Sequence, residues 1–136
     1  MLSSTMSFAE PRFRTFEHDV DDRTTIVNVD GEIHVSTAPE FGSALNATIE
    51  SGRTRLVLDL SDVMFIDSTG LSVLLNALRQ VTRADGRLAL VCSNPTVLRL
   101  FEITRLDSTF DIHADVGPAL AAVQSDDAGG SASGAP

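Results

Sequence analysis

Apolar and polar positions along the first quarter of the chain follow the two-residue period of β-strands. Residues 13–17 alternate weakly, which is typical of an edge strand. After an acidic turn, residues 24–30 are rich in β-branched side chains, and the two runs together predict a β-hairpin. Gly31 is expected to end the second strand.

The period changes to that of a helix between residues 37 and 50. An apolar stripe at i, i+4, i+7 and i+8 predicts an amphipathic helix, with Ser36 or Thr37 as its N-cap. The stripe consists of Phe41, Leu45, Thr48 and Ile49. A nearly continuous aliphatic run over 55–60 then predicts a strand covered on both faces of a sheet.

A second helix is predicted from about Thr69 to Arg83, followed by a buried strand over 87–92. Its inner stripe would be Leu71, Leu74, Leu75, Leu78 and Val81. Asn94-Pro95 is expected to start a short helix, because proline suits the first helical position. The last elements are predicted as a strand over 109–113 and a helix over 115–123, capped by Asp115.

Helices that alternate with buried strands predict an α/β fold, with a central mixed sheet of about five strands and helices packed on it. A chain of 136 residues has room for one such domain. We expect the folded domain over 12–124, between a disordered N-terminal arm (1–11) and a flexible tail (125–136).

The charge balance narrows the partners that the chain can have. The formal net charge is −9, from 19 acidic and 10 basic residues, and every basic residue is an arginine. An acidic surface repels nucleic acid and anionic membranes, so a basic protein surface is the expected complement. A monomer is expected.

The single cysteine, Cys92, excludes an internal disulfide framework and is interpreted as a small buried residue. No apolar run approaches the ~20 residues needed to cross a bilayer. The N-terminus lacks the basic and apolar regions of a signal peptide. We therefore expect a cytoplasmic protein.

The stretch Val63-Met64-Phe65-Ile66-Asp67-Ser68-Thr69-Gly70-Leu71 stands out from these elements. It places a carboxylate, two hydroxyls and a glycine at a predicted helix N-terminus, where backbone N–H groups lack intrahelical partners. One capping residue would suffice there. Gly70 inside the first turn lowers helix stability by about 1 kcal/mol relative to Ala. We infer that another backbone or a partner approaches Gly70 closely.

Catalytic and metal-binding patterns are missing from the sequence. His18, His34 and His113 lie far apart, with no Glu or Cys at metal-ligand spacing. The sequence contains neither a G-x-S-x-G elbow nor a P-loop. We therefore expect no metal, no cofactor and no enzymatic activity. A small nucleotide-binding enzyme remains an alternative of a different class.

Three segments resemble one family. Phe65-Ile66-Asp67-Ser68-Thr69-Gly70-Leu71 is similar to the phosphorylation loop of anti-sigma factor antagonists, which are bacterial STAS domains. Gly31-Glu32-Ile33 with Thr37-Ala38 resembles the family's G-E-L-D-x-x-T-A segment. Asn94 to Phe101 resembles its S-P-x-V-x-R-L-F helix, and the three segments occur in the family's order.

The resemblance implies a STAS-like fold and a phosphorylation switch in transcription regulation. Ser68 would be phosphorylated by an anti-sigma factor with serine kinase activity, and a PP2C-type phosphatase would reset it. The unphosphorylated form would bind the anti-sigma factor and release the sigma factor. The predicted partner-binding residues are Asp67, Thr69, Gly70, Leu71, Glu32, His34 and Thr37, with Arg79 and Arg83 as weaker candidates.

His34 departs from the family pattern, because it replaces the usual Asp of G-E-L-D. An imidazole in place of a fixed negative charge would alter contact with a partner or with a phosphoserine. The alternative within the family is a STAS scaffold subunit of a larger signalling or transport complex, binding constitutively.

Overall fold

A computed structural model describes residues 13–125 of the chain. The predicted N-terminal arm and all of the predicted tail except Ser125 lie outside these residues. The elements in order are β1 (Phe13–Asp19), β2 (Thr24–Ile33), α1 (Ala38–Glu50), β3 (Arg55–Ile66), α2 (Ser68–Arg83), β4 (Arg87–Val91), α3 (Pro95–Ile103), a 3₁₀ turn (Leu106–Ser108), β5 (Asp111–His113) and α4 (Val116–Gln124).

The five strands form one mixed sheet in the order β1-β2-β3-β4-β5. β1 pairs with β2 in antiparallel register, which confirms the predicted hairpin. The pairs β2–β3, β3–β4 and β4–β5 are parallel. Each parallel step is bridged by a helix, so the carboxyl ends of β2, β3 and β4 meet at one edge of the sheet.

The two faces of the sheet carry unequal cores. The larger core joins buried residues of α1, α2 and α3 to the sheet, including Phe41, Leu74 and Phe101. The smaller core lies where α4 places Ala119 and Val123 against β3 and β4. The predicted stripe of α1 is fully buried. In α2, Leu75 and Leu78 are only partly buried at the margin of the larger core.

β3 contains two irregularities that the sequence pattern did not predict. It uses 12 residues to run beside the 10 residues of β2. The register shifts between Asn28 and Asp30 and again between Gly31 and Glu32, where Met64 is the extra residue in β3. Such β-bulges break the two-residue alternation. As a result, the residues that face the larger core recur every third position, at Leu60, Val63 and Ile66.

These bulges explain two wrong strand boundaries. We expected β3 to end at Leu60, yet it continues to Ile66. We expected Gly31 to end β2, yet β2 continues to Ile33. Gly31 has a φ of 115°, a conformation that a side chain would strain, so it carries the strand through the irregularity instead of ending it.

Two predicted helix caps also differ. Thr37 occupies the N-cap position of α1, but its hydroxyl bonds back to the end of β2. Asp115 precedes α4 as expected, yet its carboxylate caps no N–H group within the described chain. Among residues 13–125, no helix combines the length and the apolar character needed to cross a membrane.

Candidate functional site

The ends of β2 and β3 hold the predicted site together. Ile33 pairs with Ile66 in the parallel register. One residue further on, the backbone N–H of Asp67 donates to the carbonyl of Ile33 at 3.1 Å. The turn after β2 therefore lies beside the loop that leads from β3 into α2, so the two predicted parts of the site are adjacent.

Asp67 caps α2. Its backbone is extended, and its Oδ1 accepts hydrogen bonds from the N–H groups of Thr69 at 2.9 Å and Gly70 at 3.1 Å. Two of the orphan donors of the first turn are thereby satisfied by one carboxylate. Asp67 is half-buried, and its side chain serves the fold by capping α2.

Ser68 is the first residue of α2 and is exposed. Its carbonyl accepts from the Ser72 hydroxyl at 3.1 Å. Its own hydroxyl has no hydrogen-bond partner among the residues that the structure describes. The side chain is therefore held in place by a capped helix and yet is free to meet another molecule.

Gly70 is buried for an internal reason. A Cβ atom at this position would lie 2.6 Å from Cγ2 of Ile33 and 2.7 Å from Cγ1 of Ile66. Both distances are too short for carbon atoms that do not bond, so only glycine lets α2 approach the ends of β2 and β3. The close neighbour that we inferred from the sequence is thus the protein's own core, and Gly70 offers no surface to a partner here.

Thr37 fixes the turn between β2 and α1. Its hydroxyl donates to the carbonyl of Glu32 at 2.8 Å and accepts from the N–H of His34 at 3.0 Å. The side chain is buried. Thr37 therefore orders the turn that stands beside Ser68, without reaching the surface itself.

The remaining predicted residues divide by exposure. Glu32 is exposed, and Thr69 and His34 are half-buried, whereas Leu71 is buried in the larger core. Arg79, about three turns along α2 from Ser68, lines a shallow groove with Arg83 and Leu75. Of the residues predicted to contact a partner around Ser68, only Glu32, His34, Asp67 and Thr69 are therefore exposed or half-buried.

Comparison with known proteins identifies the family of the chain. The family model described as "STAS domain" matches residues 15–119. The chain belongs to the STAS domain family. It is 39% identical over 88 residues to the anti-sigma-B factor antagonist of Bacillus subtilis (strain 168), over 65% of this chain and 80% of that relative.

Solved STAS structures superpose closely on this one. An anti-sigma factor antagonist from Mycobacterium paratuberculosis is 32% identical, with a TM-score of 0.76 over 84% of this chain and 96% of that chain. The unphosphorylated anti-sigma factor antagonist SpoIIAA is 21% identical, with a TM-score of 0.71 over 82% of this chain and 96% of its own. At that identity, SpoIIAA shares the fold alone. The predicted STAS-like α/β fold with a five-stranded mixed sheet is confirmed.

Three apolar side chains of this STAS domain were missed as candidate site residues. Met64 is 72% exposed and Phe65 is 47% exposed, both at the second bulge of β3, and Val35 is exposed in the turn after β2. The Phe65 ring lies 6.3 Å from the His34 ring, centre to centre. The unbroken apolar run from Val63 to Ile66 was the available signal, but such a run is equally consistent with a strand that is covered on both faces. Only the bulge in β3 shows that Met64 and Phe65 face solvent.

His34 is held by its neighbours on both sides of the ring. Its Nδ1 accepts from the N–H of Ser36 at 3.2 Å, and its Nε2 lies 3.4 Å from Oε1 of Glu32. The imidazole that replaces the family's usual Asp is therefore part of the ordered turn that faces the Ser68 loop.

The other chemistry considered from the sequence is located away from this site. His113 lies 3.0 Å from Asp111 on β5. Cys92, the residue directly after β4, is buried, and burial raises the pKa of its thiol. Within the described part of the chain, no three His, Cys, Asp or Glu side chains cluster as metal ligands would.

Proposed function

We propose that this protein is an anti-sigma factor antagonist switched by phosphorylation of Ser68. The unphosphorylated form binds an anti-sigma factor that has serine kinase activity, and the sigma factor is released. The observation that carries this proposal is the exposed, unpartnered hydroxyl of Ser68 on a helix start that Asp67 holds rigid.

Relatives support the same regulatory class. The Bacillus subtilis and Mycobacterium paratuberculosis relatives are both named as antagonists of anti-sigma factors. SpoIIAA, a Bacillus cell fate determinant, has been solved in a phosphorylated form as well, with 17% identity to this chain and a TM-score of 0.61.

Phosphorylation would act on the interface and leave the fold intact. A phosphate adds about −1.5 to −2 charges at neutral pH. At a helix N-terminus the macrodipole stabilises such a charge by about 0.3–1 kcal/mol. The domain should therefore stay folded when Ser68 is modified.

Binding would be lost for an electrostatic reason. The new dianion would stand next to the carboxylate of Asp67, within a sequence stretch that also carries Asp62. To bury it against a partner without a matching cation would cost several kcal/mol. Because about 1.4 kcal/mol corresponds to a tenfold change in affinity, the phosphorylated form should bind more weakly by orders of magnitude. A PP2C-type phosphatase would restore binding.

The binding test uses three forms of the protein with purified anti-sigma factors that carry a serine-kinase domain, taken from the same organism. Wild type and Ser68→Ala should bind one of them with similar affinity, because alanine preserves an uncharged surface. Ser68→Asp should bind at least about tenfold more weakly.

Ser43→Asp, at an exposed position of α1 away from the predicted contact residues, is the control for added charge and should bind within about twofold of wild type. Equal affinities for Ser68→Ala and Ser68→Asp would contradict the switch. They would favour the alternative of a scaffold subunit that binds constitutively.

A further inference from the structure

An apolar cavity lies against the same edge of the sheet as Ser68. It measures about 200 Å³ and is lined by Phe65 and Ile66 of β3 and by Thr96, Val97 and Leu100 of α3. One wall is thus the bulge of β3 that precedes the Ser68 loop, and the other wall is the first two turns of α3.

Phe65 joins this cavity to the turn after β2. Its ring lies 6.3 Å from the His34 ring, centre to centre, and Phe65 also lines the cavity. Met64, the residue before Phe65 in β3, and Val35, in the turn after β2, are two further exposed apolar side chains. A single exposed apolar residue is common on protein surfaces, but three of them in two adjacent segments, one lining an apolar cavity, favour an interaction surface.

The charges around this apolar surface determine what could cover it. The segment 62–71 contains two carboxylates and no basic residue, and the segment 30–37 contains two carboxylates and one histidine. The α3 wall adds one exposed charge of each sign, Arg99 and Glu102, so the net negative charge comes from the two segments that follow β2 and end β3. Glu32 and Asp62 are exposed. A basic surface is the complement of these groups, and an apolar group is the complement of the cavity.

We propose that the partner docks by inserting one apolar side chain into the cavity beside Phe65, flanked on the partner by arginine or lysine side chains that face Glu32 and Asp62. This inference rests on the proposed function, since it names the contact by which the anti-sigma factor would be held next to Ser68. The inserted apolar side chain, which we call the anchor, would hold the partner next to the Ser68 hydroxyl. The charged residues around the cavity would orient the partner.

The test compares two phenylalanines of equal exposure. Phe65 is 47% exposed and Phe16, on β1, is 48% exposed. Phe65→Ala should weaken binding of the purified kinase-type anti-sigma factor at least tenfold, because it removes one wall of the cavity and the central apolar contact. Phe16→Ala should change the affinity less than twofold.

A second variant avoids any effect of Phe65 on folding. Thr96 is exposed on α3, so Thr96→Arg should fold normally while it fills the cavity and repels a basic partner. We expect at least tenfold weaker binding, whereas Ser43→Arg, an equally charged change on the exposed side of α1, should bind within twofold of wild type. If Phe65→Ala proves unfolded by circular dichroism, Thr96→Arg alone decides.

The possible outcomes distinguish a failure of this docking proposal from a failure of the proposed function. If wild type binds none of the anti-sigma factors, the proposed function fails and the anchor fails with it. If wild type binds but Thr96→Arg, or a folded Phe65→Ala, binds within twofold of it, the anchor alone is overturned and the function stands.

Discussion

Two helices of this domain begin at the same edge of the sheet, and they begin differently. α2 follows β3 and is capped by Asp67, whose carboxylate accepts from the N–H groups of Thr69 and Gly70. α3 follows β4 and is capped by Asn94, whose side chain accepts from the N–H of Thr96 at 2.9 Å. Both are sound helix starts by the same capping chemistry.

The difference lies in the residue that follows the cap. In α3 it is Pro95, which has no N–H and a fixed φ, and which suits a helix start. In α2 it is Ser68, whose exposed hydroxyl contributes no hydrogen bond to the described structure. Helix formation therefore explains why Pro95 follows the cap of α3, but it does not explain why an exposed serine follows the cap of α2. For this reason we assign Ser68 a role outside the fold.

Of the substitutions proposed below, Gly70→Ala should lower the free energy of unfolding most, because α2 packs closely on the sheet at Gly70. α3 contains no glycine and has no equivalent contact. In Gly70→Ala the new Cβ overlaps Ile33 and Ile66. Gly117→Ala, near the start of α4, is the control, since a Cβ there would meet nothing within 4 Å. Both variants gain helix propensity, so the difference between their free energies of unfolding isolates the overlap.

We expect Gly70→Ala to be less stable than Gly117→Ala by about 1–3 kcal/mol, the usual cost of overpacking a core. Urea denaturation followed by circular dichroism measures it. Equal stabilities would show that α2 can move away from the sheet at little cost.

The two caps should differ by a smaller amount. Asp67→Ala removes the acceptor of two N–H groups. Asn94→Ala removes the acceptor of one N–H group and a long hydrogen bond, 3.4 Å, from its Nδ2 to the carbonyl of Val63. Substitution of a cap by alanine costs about 0.5–2 kcal/mol, so we place Asp67→Ala near the upper end and Asn94→Ala near the lower end.

The same two variants separate folding from function. Asp67→Ala should also lower the rate at which Ser68 is phosphorylated, because it loosens the loop that presents the hydroxyl. Asn94→Ala should leave that rate unchanged. If the phosphorylation rate falls in both variants in proportion to their loss of stability, the cap of α2 has no special role in presenting Ser68.

Ser68 itself should affect stability least. Ser68→Ala and Ser68→Asp should each change the free energy of unfolding by less than about 0.5 kcal/mol, as for exposed positions without structural contacts. The aspartate gains a little from the helix dipole. A loss above about 1 kcal/mol in Ser68→Ala would mean that the hydroxyl does support the fold.

Much of this architecture follows from the sequence because periodicity determines which face of each element is buried. The hairpin, the stripe of α1 and the start of α3 at Asn94-Pro95 were all predicted and are present. The chain also belongs to the family that its motifs resemble.

The features that the sequence did not predict share one physical cause. β-Bulges and close contacts between elements depend on how the elements pack together, which the periodicity of a single segment does not show. The two bulges of β3 shift its apolar residues to a three-residue spacing, so the strand was predicted to end at Leu60 and Met64 and Phe65 were not recognised as surface residues. Gly70 signalled a close neighbour, but only the packing of α2 on the sheet shows that Ile33 and Ile66 fill that space.

The most direct test of the central claim is to locate the phosphate by peptide mass spectrometry after incubation with the cognate kinase-type anti-sigma factor and ATP. We predict one phosphate per chain, on Ser68, and none on Ser68→Ala. A phosphate on Thr69 with Ser68 unmodified, or a modified Ser68→Ala protein, would contradict the account.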